Sequence, residues 1–197
     1  MTLLGAASAL CGALLAIRGR VSFGLVALVV AGLCDLFDGV LARSLVRTPL
    51  EERFGQRLDS LCDAVSFGAC GALILHAGGL QGPAEIALVV GFALSAIWRL
   101  AYFDAVGMEA ADAGGAPARF VGLPTTYVAL ALPLAGLAGL HSPAALYWAF
   151  LGTGALVALA MISPLRIPKP GRKTYPVFLL LALGLGTVHV LAGLGKL

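Results

Sequence analysis

The sequence predicts an all-α fold, a polytopic membrane helix bundle with about seven transmembrane helices. Of its 197 residues, 60% are hydrophobic and only 12% are charged, which is more apolar surface than a soluble domain of this size needs. The mean hydropathy is +0.98. The apolar residues also form long runs instead of alternating with polar ones, as the strands of a barrel would. Helices are therefore favoured over a barrel.

Seven apolar segments are separated by short breaks. The last break, SPLRIPKPGRK at 163–173, contains three prolines and four basic residues, so it cannot continue a helix. We treat 1–197 as a single membrane domain. The predicted spans are residues 2–17, 22–45, 55–76, 84–103, 122–140, 143–162 and 174–195.

The Lys and Arg residues predict the orientation of the spans. They cluster in segments 43–57, 99–119 and 163–173, which alternation of the spans puts on one side. The excess of basic residues marks this side as cytosolic, so we expect an integral protein of the cell membrane. Arg18 and Arg20 fall on the opposite side, against the rule. The Gly/Ala-rich segment 104–119 is predicted as a flexible loop, and a net charge of +3 is too small to indicate nucleic acid binding.

Four aspartates interrupt the second and third apolar segments. Asp35 and Asp38 are three residues apart, and Asp59 and Asp63 are four apart. At either spacing two side chains share one face of a helix. With a rise of ~1.5 Å per residue, Asp35 lies about 20 Å along its helix from the outer side, and the second pair lies in the first turns of the next helix. All four carboxylates are expected to converge near the cytosolic face.

Carboxylates held this close together repel one another, and each costs roughly 2.5–3.5 kcal/mol in the middle of a membrane. One or two divalent cations would offset the repulsion. Oxygen ligands suit hard cations such as Mg²⁺, Mn²⁺ or Ca²⁺, whereas zinc is disfavoured because no His or Cys has a matching position. The pattern predicts a metal site made of Asp35, Asp38, Asp59 and Asp63.

The residues beside these aspartates suit a diphosphate. Gly39 and Ala42 lie on the same helical stretch and leave its backbone open to a close approach. Arg43, one turn beyond Gly39, can pair with a phosphate or with an aspartate. A metal, an arginine and an open backbone together fit a diphosphate ligand.

Two other interpretations compete with this one. The aspartates could be charges at helix ends that reach into the membrane interface, although two spaced pairs with small residues between them argue against that. They could also form the ion site of a divalent-cation transporter. Such transporters often contain inverted repeats or broken helices, and neither is visible in the sequence.

Together these residues resemble the motif of the CDP-alcohol phosphotransferase family, D-x2-D-G-x2-A-R followed by a spacer and G-x3-D-x3-D. All eight fixed positions match, with eleven residues between the two halves. The motif residues here are Asp35, Asp38, Gly39, Ala42, Arg43, Gly55, Asp59 and Asp63.

The resemblance implies a helical membrane enzyme that acts as a homodimer. It implies that Asp35, Asp38 and Asp59 hold Mg²⁺ or Mn²⁺, two ions in all, together with the CDP diphosphate. Asp63 would be the catalytic base and a further metal ligand. The residues implied to contact CDP are Asp35, Gly39, Ala42, Arg43, Gly55 and Asp59.

Further segments resemble the phosphatidylserine synthase branch of that family. They are RFGQRLDSLCDAVSFG, then RLAYF, GLP, and MIS with the basic loop after it. This likeness implies transfer of the phosphatidyl group from CDP-diacylglycerol to L-serine, with release of CMP. The chain departs from the branch at Tyr102 and Asp104, where Arg and Asn are common, and at Thr125 and Thr126, where a proline-rich turn is usual.

The acceptor-binding residues are predicted less directly. Arg99, near the end of the fourth span, either binds the acceptor carboxylate or is a charge at a helix end. Arg119 and Ser66 are further candidates. The alternative acceptors are glycerol phosphate, inositol phosphate or an amino alcohol. A phosphorylated acceptor would need two or more convergent cations, which Arg57, Arg99 and Arg119 could supply.

Overall fold

The computed structural model describes residues 1–42, 48–106, 119–168 and 174–196, and for residues 39–42 and 119 it describes the backbone alone. Besides eight α-helices, this part of the chain contains a π-helical segment, Ala64–Ala69, and two 3₁₀ turns, Thr125–Tyr127 and Leu137–Leu140. The helices are α1 (Thr2–Ile17), α2 (Val21–Ala42), α3 (Pro49–Asp63), α4 (Cys70–Ala77), α5 (Pro83–Val106), α6 (Val128–Gly136), α7 (Pro143–Ile162) and α8 (Tyr175–Gly193).

These elements form seven helical rods in the described part of the chain, one for each predicted apolar segment. Two rods are composite, because 49–77 and 125–140 each run through more than one helix type. Five rods are long and apolar enough to cross a membrane, and α1 and the rod 125–140 are shorter apolar helices. The predicted all-α membrane bundle is confirmed, and the chain is an integral membrane protein.

The third rod begins earlier than predicted, at Pro49 and not near residue 55. Thr48 caps it: its hydroxyl accepts from the Glu51 amide (3.3 Å), and the Glu51 carboxylate accepts from the Thr48 amide (2.8 Å). This capping box, followed by a proline at the first helical position, stabilises a polar helix start. The two turns before Arg57 are therefore helical and charged. A prediction of helices from apolar runs misses such a polar helix start.

The first two helices pack so closely that only small residues fit between them. A Cβ atom at Gly12 would lie 2.4 Å from the Ala27 Cβ, and one at Gly24 would lie 2.9 Å from the Ala16 Cβ. Small residues at such crossings let two backbones approach, which is the usual source of helix association in lipid. Helix α1 is thus an integral part of the bundle, and α2 also packs against α6 and α8.

Two segments that were predicted as loops contain short strands. Residues Arg119–Val121 form β1, which pairs antiparallel with β2, Arg166–Pro168. Residues 104–106 of the predicted loop 104–119 are instead the last residues of α5. Residues 107–118 and 169–173 of the two loops lie outside the described residues. The pairing joins the basic segments 99–119 and 163–173 at one end of the bundle. An ion pair between Arg57 and Asp104 brings the segment 43–57 to the same end.

Candidate active site

Three of the four predicted aspartates meet between α2 and α3. Asp35, Asp59 and Asp63 each offer a carboxylate oxygen that lies within 4.8 Å of the other two. Asp59 and Asp63 are one helical turn apart, so one face of α3 presents both toward α2. The predicted convergence of the two helices is confirmed for these three side chains.

Asp38 lies beside this cluster but is not part of it. Its carboxylate accepts a hydrogen bond from the Thr2 hydroxyl at the start of α1. It is still near enough to Asp35 and Asp59 for the negative charges to repel one another. The predicted set of four is therefore divided, with three carboxylates together and the fourth held by a hydroxyl of a neighbouring helix.

A small cavity lies at the cluster, and α1 closes it. The α1 residues in its wall are Thr2, Gly5 and Ala6, which face the three aspartates. Its free space is about 10 Å³, close to the minimum that holds one water molecule. Such a space accommodates an ion or a water, whereas an organic substrate must lie outside it.

The chain becomes π-helical directly after Asp63. Ser66 and Phe67, within the segment Ala64–Ala69, are buried and line the same cavity. An extra residue in a helical turn shifts the faces of the helix before and after it, and such bulges occur often at functional sites. The predicted candidate Ser66 is thereby placed beside the aspartates at 3% exposure.

Two threonines complete the surroundings of the cluster. Thr126 and Asp35 border the same apolar cavity, and Thr125 is buried next to Thr126 in the chain. Sequence reasoning noticed these residues only as departures from a family pattern and assigned them no role. Their separation of about sixty residues from Asp63 left no spacing signal that would have connected them with the aspartates.

Arg99 is buried in the last third of α5, with 4% of its surface exposed. Its guanidinium carbon lies 5.4 Å from the centre of the Phe103 ring and 6.0 Å from that of Phe120. Its Nε atom has no hydrogen-bond partner among the described residues. A cation held by two aromatic rings, with a free donor in a dry place, is suited to receive an anion.

Arg57, considered above as a cation for a phosphorylated acceptor, is engaged elsewhere. Its Nη1 atom lies 2.9 Å from Oδ2 of Asp104, and the other oxygen of Asp104 accepts a 2.8 Å hydrogen bond from Ser60. Asp104 is one of the departures from the family branch. Asp104 forms an ion pair with Arg57. Of the three arginines proposed for a phosphorylated acceptor, Arg99 is the one whose described side chain is buried.

The remaining motif residues are described only in part. Gly39 and Ala42 lie in the last turn of α2, where the backbone alone is described, and Arg43 lies outside the described residues. Gly55 lies in α3, one turn before Asp59, and is partly exposed. Arg119 is the first residue of β1, and its side chain is not described.

An apolar cavity of about 210 Å³ opens on the other side of Asp35, between α2, α6 and α8. Asp35 and Thr126 form its polar edge. Most of the wall is aliphatic or aromatic, with Val29, Leu33 and Phe178 among its residues. A carboxylate cluster that borders an apolar cavity between membrane helices suits a ligand with a charged head and a hydrocarbon tail.

Comparison with known proteins agrees with this arrangement. The family model described as CDP-alcohol phosphatidyltransferase matches residues 1–163. The chain is 28% identical to the archaetidylserine synthase of Methanothermobacter thermautotrophicus over 86% of its length and 68% of the relative. It is 31% identical to the CDP-diacylglycerol–serine O-phosphatidyltransferase of Methanocaldococcus jannaschii over 86% of its length and 74% of the relative.

A relative with a different acceptor also matches. The phosphatidylinositol phosphate synthase of Streptomyces avermitilis is 35% identical over 72% of this chain and 57% of the relative. The alignments to several further serine transferases cover 43% of the Mycobacterium tuberculosis protein and 39% of the Saccharomyces cerevisiae protein. Since the family model spans most of the chain and three of the four motif aspartates converge, this protein belongs to the CDP-alcohol phosphatidyltransferase family.

Proposed function

We propose that this protein is a CDP-diacylglycerol–serine O-phosphatidyltransferase, which transfers a phosphatidyl group from CDP-diacylglycerol to L-serine and releases CMP. The observation that carries the proposal is the convergence of Asp35, Asp59 and Asp63 from the two halves of the family motif. Two relatives that align over most of this chain are named as an archaetidylserine synthase and a CDP-diacylglycerol–serine O-phosphatidyltransferase.

The aspartates fit a divalent cation. The three carboxylate oxygens lie within 4.8 Å of one another. Two ligands of one Mg²⁺ lie at most about 4.2 Å apart, twice the metal–oxygen distance, so the carboxylates would draw together slightly around an ion. Asp38 would complete the set once its bond to Thr2 is given up. We propose Mg²⁺ or Mn²⁺, two ions in all. Such ions neutralise phosphate charge and orient the reacting oxygens.

The donor would lie with its diphosphate against the motif and its lipid in the apolar cavity beside Asp35. Contacts with CDP are proposed for the open backbone of α2 and the start of α3, and for Arg43, which lies outside the described residues. The cavity is bordered by Asp35 and Thr126, so a lipid chain in it would leave the diphosphate at the cluster. The proposed CDP contacts are Asp35, Gly39, Ala42, Arg43, Gly55 and Asp59.

Serine would be held by Arg99. Its unpartnered Nε atom and buried guanidinium suit the acceptor carboxylate, because a charge-assisted bond in a dry site is strong. Ser66, beside Asp63, and Arg119, in β1, are proposed as further contacts. A phosphorylated acceptor would call for a second cation, and Arg57 is already paired with Asp104. This favours serine. Because one relative is named a phosphatidylinositol phosphate synthase, the experiment below also includes phosphorylated acceptors.

In the transfer step Asp63 takes the hydroxyl proton of serine. The serine oxygen forms a bond to the lipid-linked phosphorus while the bond from that phosphorus to the CMP oxygen breaks, and CMP leaves with the electron pair. Such transfers depend on in-line positioning and on neutralised phosphate charge more than on covalent chemistry by the protein. The buried location of Ser66 and Thr125 at the cluster would limit competition by water.

The test is CMP release by the purified full chain in lipid, with CDP-diacylglycerol and one acceptor at a time. L-serine, glycerol 3-phosphate, inositol phosphate and ethanolamine form the panel, and a reaction without acceptor is the control. We expect release with serine alone, dependent on Mg²⁺ or Mn²⁺. Release with a phosphorylated acceptor instead would assign the chain to that class, and release with none would refute the proposal.

We also propose that the aspartate end faces the cytosol in the cell membrane and that the active unit is a homodimer. After the four native cysteines are replaced, a single cysteine at Gln81 should react with a membrane-impermeant reagent from outside. A cysteine introduced within 106–116 should react only after the cytosolic side is exposed. The reverse labelling pattern would contradict the orientation, and a monomer mass for active protein in detergent would contradict the dimer.

A further inference from the structure

Phe120 is the middle residue of β1, and the backbone around it is held in one place. It pairs with Ile167 of β2, and just after the strand the Gly122 amide donates to the Leu165 carbonyl at 2.7 Å. Gly122 has a φ of +79°, and a Cβ atom there would lie 2.4 Å from the Met161 carbonyl oxygen, so only glycine fits this turn. The Phe120 side chain therefore projects from a fixed backbone.

On one side Phe120 contacts Arg99. The guanidinium carbon lies 6.0 Å from the centre of the Phe120 ring and 5.4 Å from that of Phe103, and the two ring centres are 5.9 Å apart. A Cβ atom at Gly122 would lie 3.3 Å from the Arg99 Cδ, so the turn covers the stem of the side chain as well. Aromatic rings at these distances attract a cation, and they leave the Nε donor of Arg99 without a hydrogen-bond partner among the described residues.

On another side Phe120 forms part of the wall of the apolar cavity of about 210 Å³. The same wall includes Asp35 and Thr126, which form its polar edge. Neither Arg99 nor Phe103 is among the described residues that line this cavity. Phe120 thus contacts the buried cation and borders the cavity at the same time.

The position of this ring matters because a guanidinium binds a phosphate as well as a carboxylate. The proposed donor has its diphosphate at Asp35, on the polar edge of the cavity. The Arg99 guanidinium lies next to a ring of the cavity wall without lining the cavity itself. If the ring were absent, the free donor of Arg99 would be drawn to the diphosphate, because an unpaired polar group in a dry place is costly.

We propose that Phe120 is a positioning residue that keeps Arg99 away from the donor diphosphate and so leaves it available to the acceptor carboxylate. This role rests on the proposed function for the donor site at Asp35 and for Arg99 as the acceptor contact. It adds a residue outside the family motif. It also gives the pairing of β1 with β2 a task in substrate discrimination, because the pairing holds the ring in place.

A comparison of double variants tests whether the ring separates Arg99 from the donor. Affinity for CDP-diacylglycerol is measured by isothermal titration calorimetry on the purified full chain in lipid nanodiscs, with Mg²⁺ and without acceptor. Arg99→Met is introduced into three backgrounds: wild type, Phe120→Ala and Phe103→Ala. Phe103→Ala is the matched control, because Phe103 also contacts Arg99 but is not one of the described residues of the cavity wall.

In wild type and in the Phe103→Ala background, Arg99→Met should change the Kd for CDP-diacylglycerol less than about twofold, as expected for groups that do not interact. In the Phe120→Ala background it should raise that Kd about 10–150-fold, because the guanidinium there bonds the donor phosphate. Phe120→Leu, which removes the ring but keeps an apolar side chain, should give the same result if Phe120→Ala does not fold. Phe120→Tyr, which keeps the ring, should resemble wild type.

The role of Phe120 is refuted if Arg99→Met has the same effect on donor affinity in the Phe120→Ala and Phe103→Ala backgrounds. It is also refuted if Arg99→Met weakens donor binding about tenfold in wild type, since Arg99 would then reach the donor past the intact ring. Failure of the proposed function is distinguishable, because the calorimetry uses no acceptor. A wild-type chain that releases no CMP with serine, but shows the effect in the Phe120→Ala background alone, would refute the serine transferase and retain the role of Phe120. Absence of CDP-diacylglycerol binding by wild type would refute both.

Discussion

The aspartate wall of the site, Asp35, Asp59 and Asp63, and the turn wall, Arg99, Thr125 and Thr126, are built in different ways. The aspartate wall comes from two consecutive helices, and the spacing of four residues between Asp59 and Asp63 places both on one helix face. The turn wall comes from the last third of α5 and from the turn before α6. The pairing of β1 with β2 and hydrogen bonds to the end of α7 hold that turn in place. With the roles proposed above, the shared chemistry would be encoded locally, whereas acceptor selection would depend on long-range packing.

The largest effect is expected from the aspartate wall. Asp59→Asn and Asp35→Asn each remove a charged ligand, so transfer should fall by more than about 10³-fold, because metal ions contribute several kcal/mol of charge stabilisation. Mn²⁺ binding, measured by electron paramagnetic resonance, should weaken in parallel. Leu61→Ala, at an exposed position of α3, is the control and should bind normally. Full transfer by either asparagine variant would contradict the metal site.

A large but different loss is expected for Asp63→Asn. The amide keeps one oxygen donor and nearly the same volume but cannot accept the hydroxyl proton, so turnover should fall about 10²–10⁴-fold. Binding of CDP-diacylglycerol should remain. A pure base defect is not rescued by high Mg²⁺ or Mn²⁺, whereas a ligand defect is partly rescued, so a metal titration separates the two roles. Near wild-type turnover at saturating serine would exclude Asp63 as the base.

A moderate effect, confined to one substrate, should result from changing Arg99. Arg99→Met keeps an unbranched apolar side chain beside Phe103 and Phe120 and removes the charge. A bond to a charged group contributes about 1.5–3 kcal/mol, so the KM for serine should rise about 10–150-fold. The KM for CDP-diacylglycerol should be unchanged. A defect in the donor KM, with no change for serine, would move Arg99 out of the acceptor site.

The smallest effect is expected at the ion pair between Arg57 and Asp104. The Arg57 side chain is 72% exposed, and exposed pairs contribute about 0–1 kcal/mol, so Asp104→Asn should change serine turnover less than about fivefold. Asn is also common here in the related branch. The variant should be assayed with glycerol 3-phosphate as well. A loss beyond tenfold with serine, or a new preference for the phosphorylated acceptor, would extend the acceptor site to this pair.

The sequence alone predicted the seven helical rods and the aspartate cluster, because both depend on short-range periodicity. Apolar runs of membrane-spanning length indicate helices, and carboxylates three or four residues apart share a helix face whatever surrounds them. The spacing of three between Asp35 and Asp38 nevertheless gave a wrong prediction for Asp38. This residue belongs to the motif, but it bonds Thr2 of α1 and lies outside the cluster of three.

Tertiary structure alone decided which distant side chains meet these aspartates. Thr126 borders the cavity beside Asp35, in a turn that Gly122 allows to approach the end of α7, and no repeat along the chain predicts that arrangement. The pairing of β1 with β2 likewise joins two segments that the sequence predicts only as separate loops. The ion pair between Arg57 and Asp104 joins two charges that lie far apart in the sequence. Helix periodicity specifies the face a residue occupies, whereas the packing of helices in the bundle determines what that face contacts.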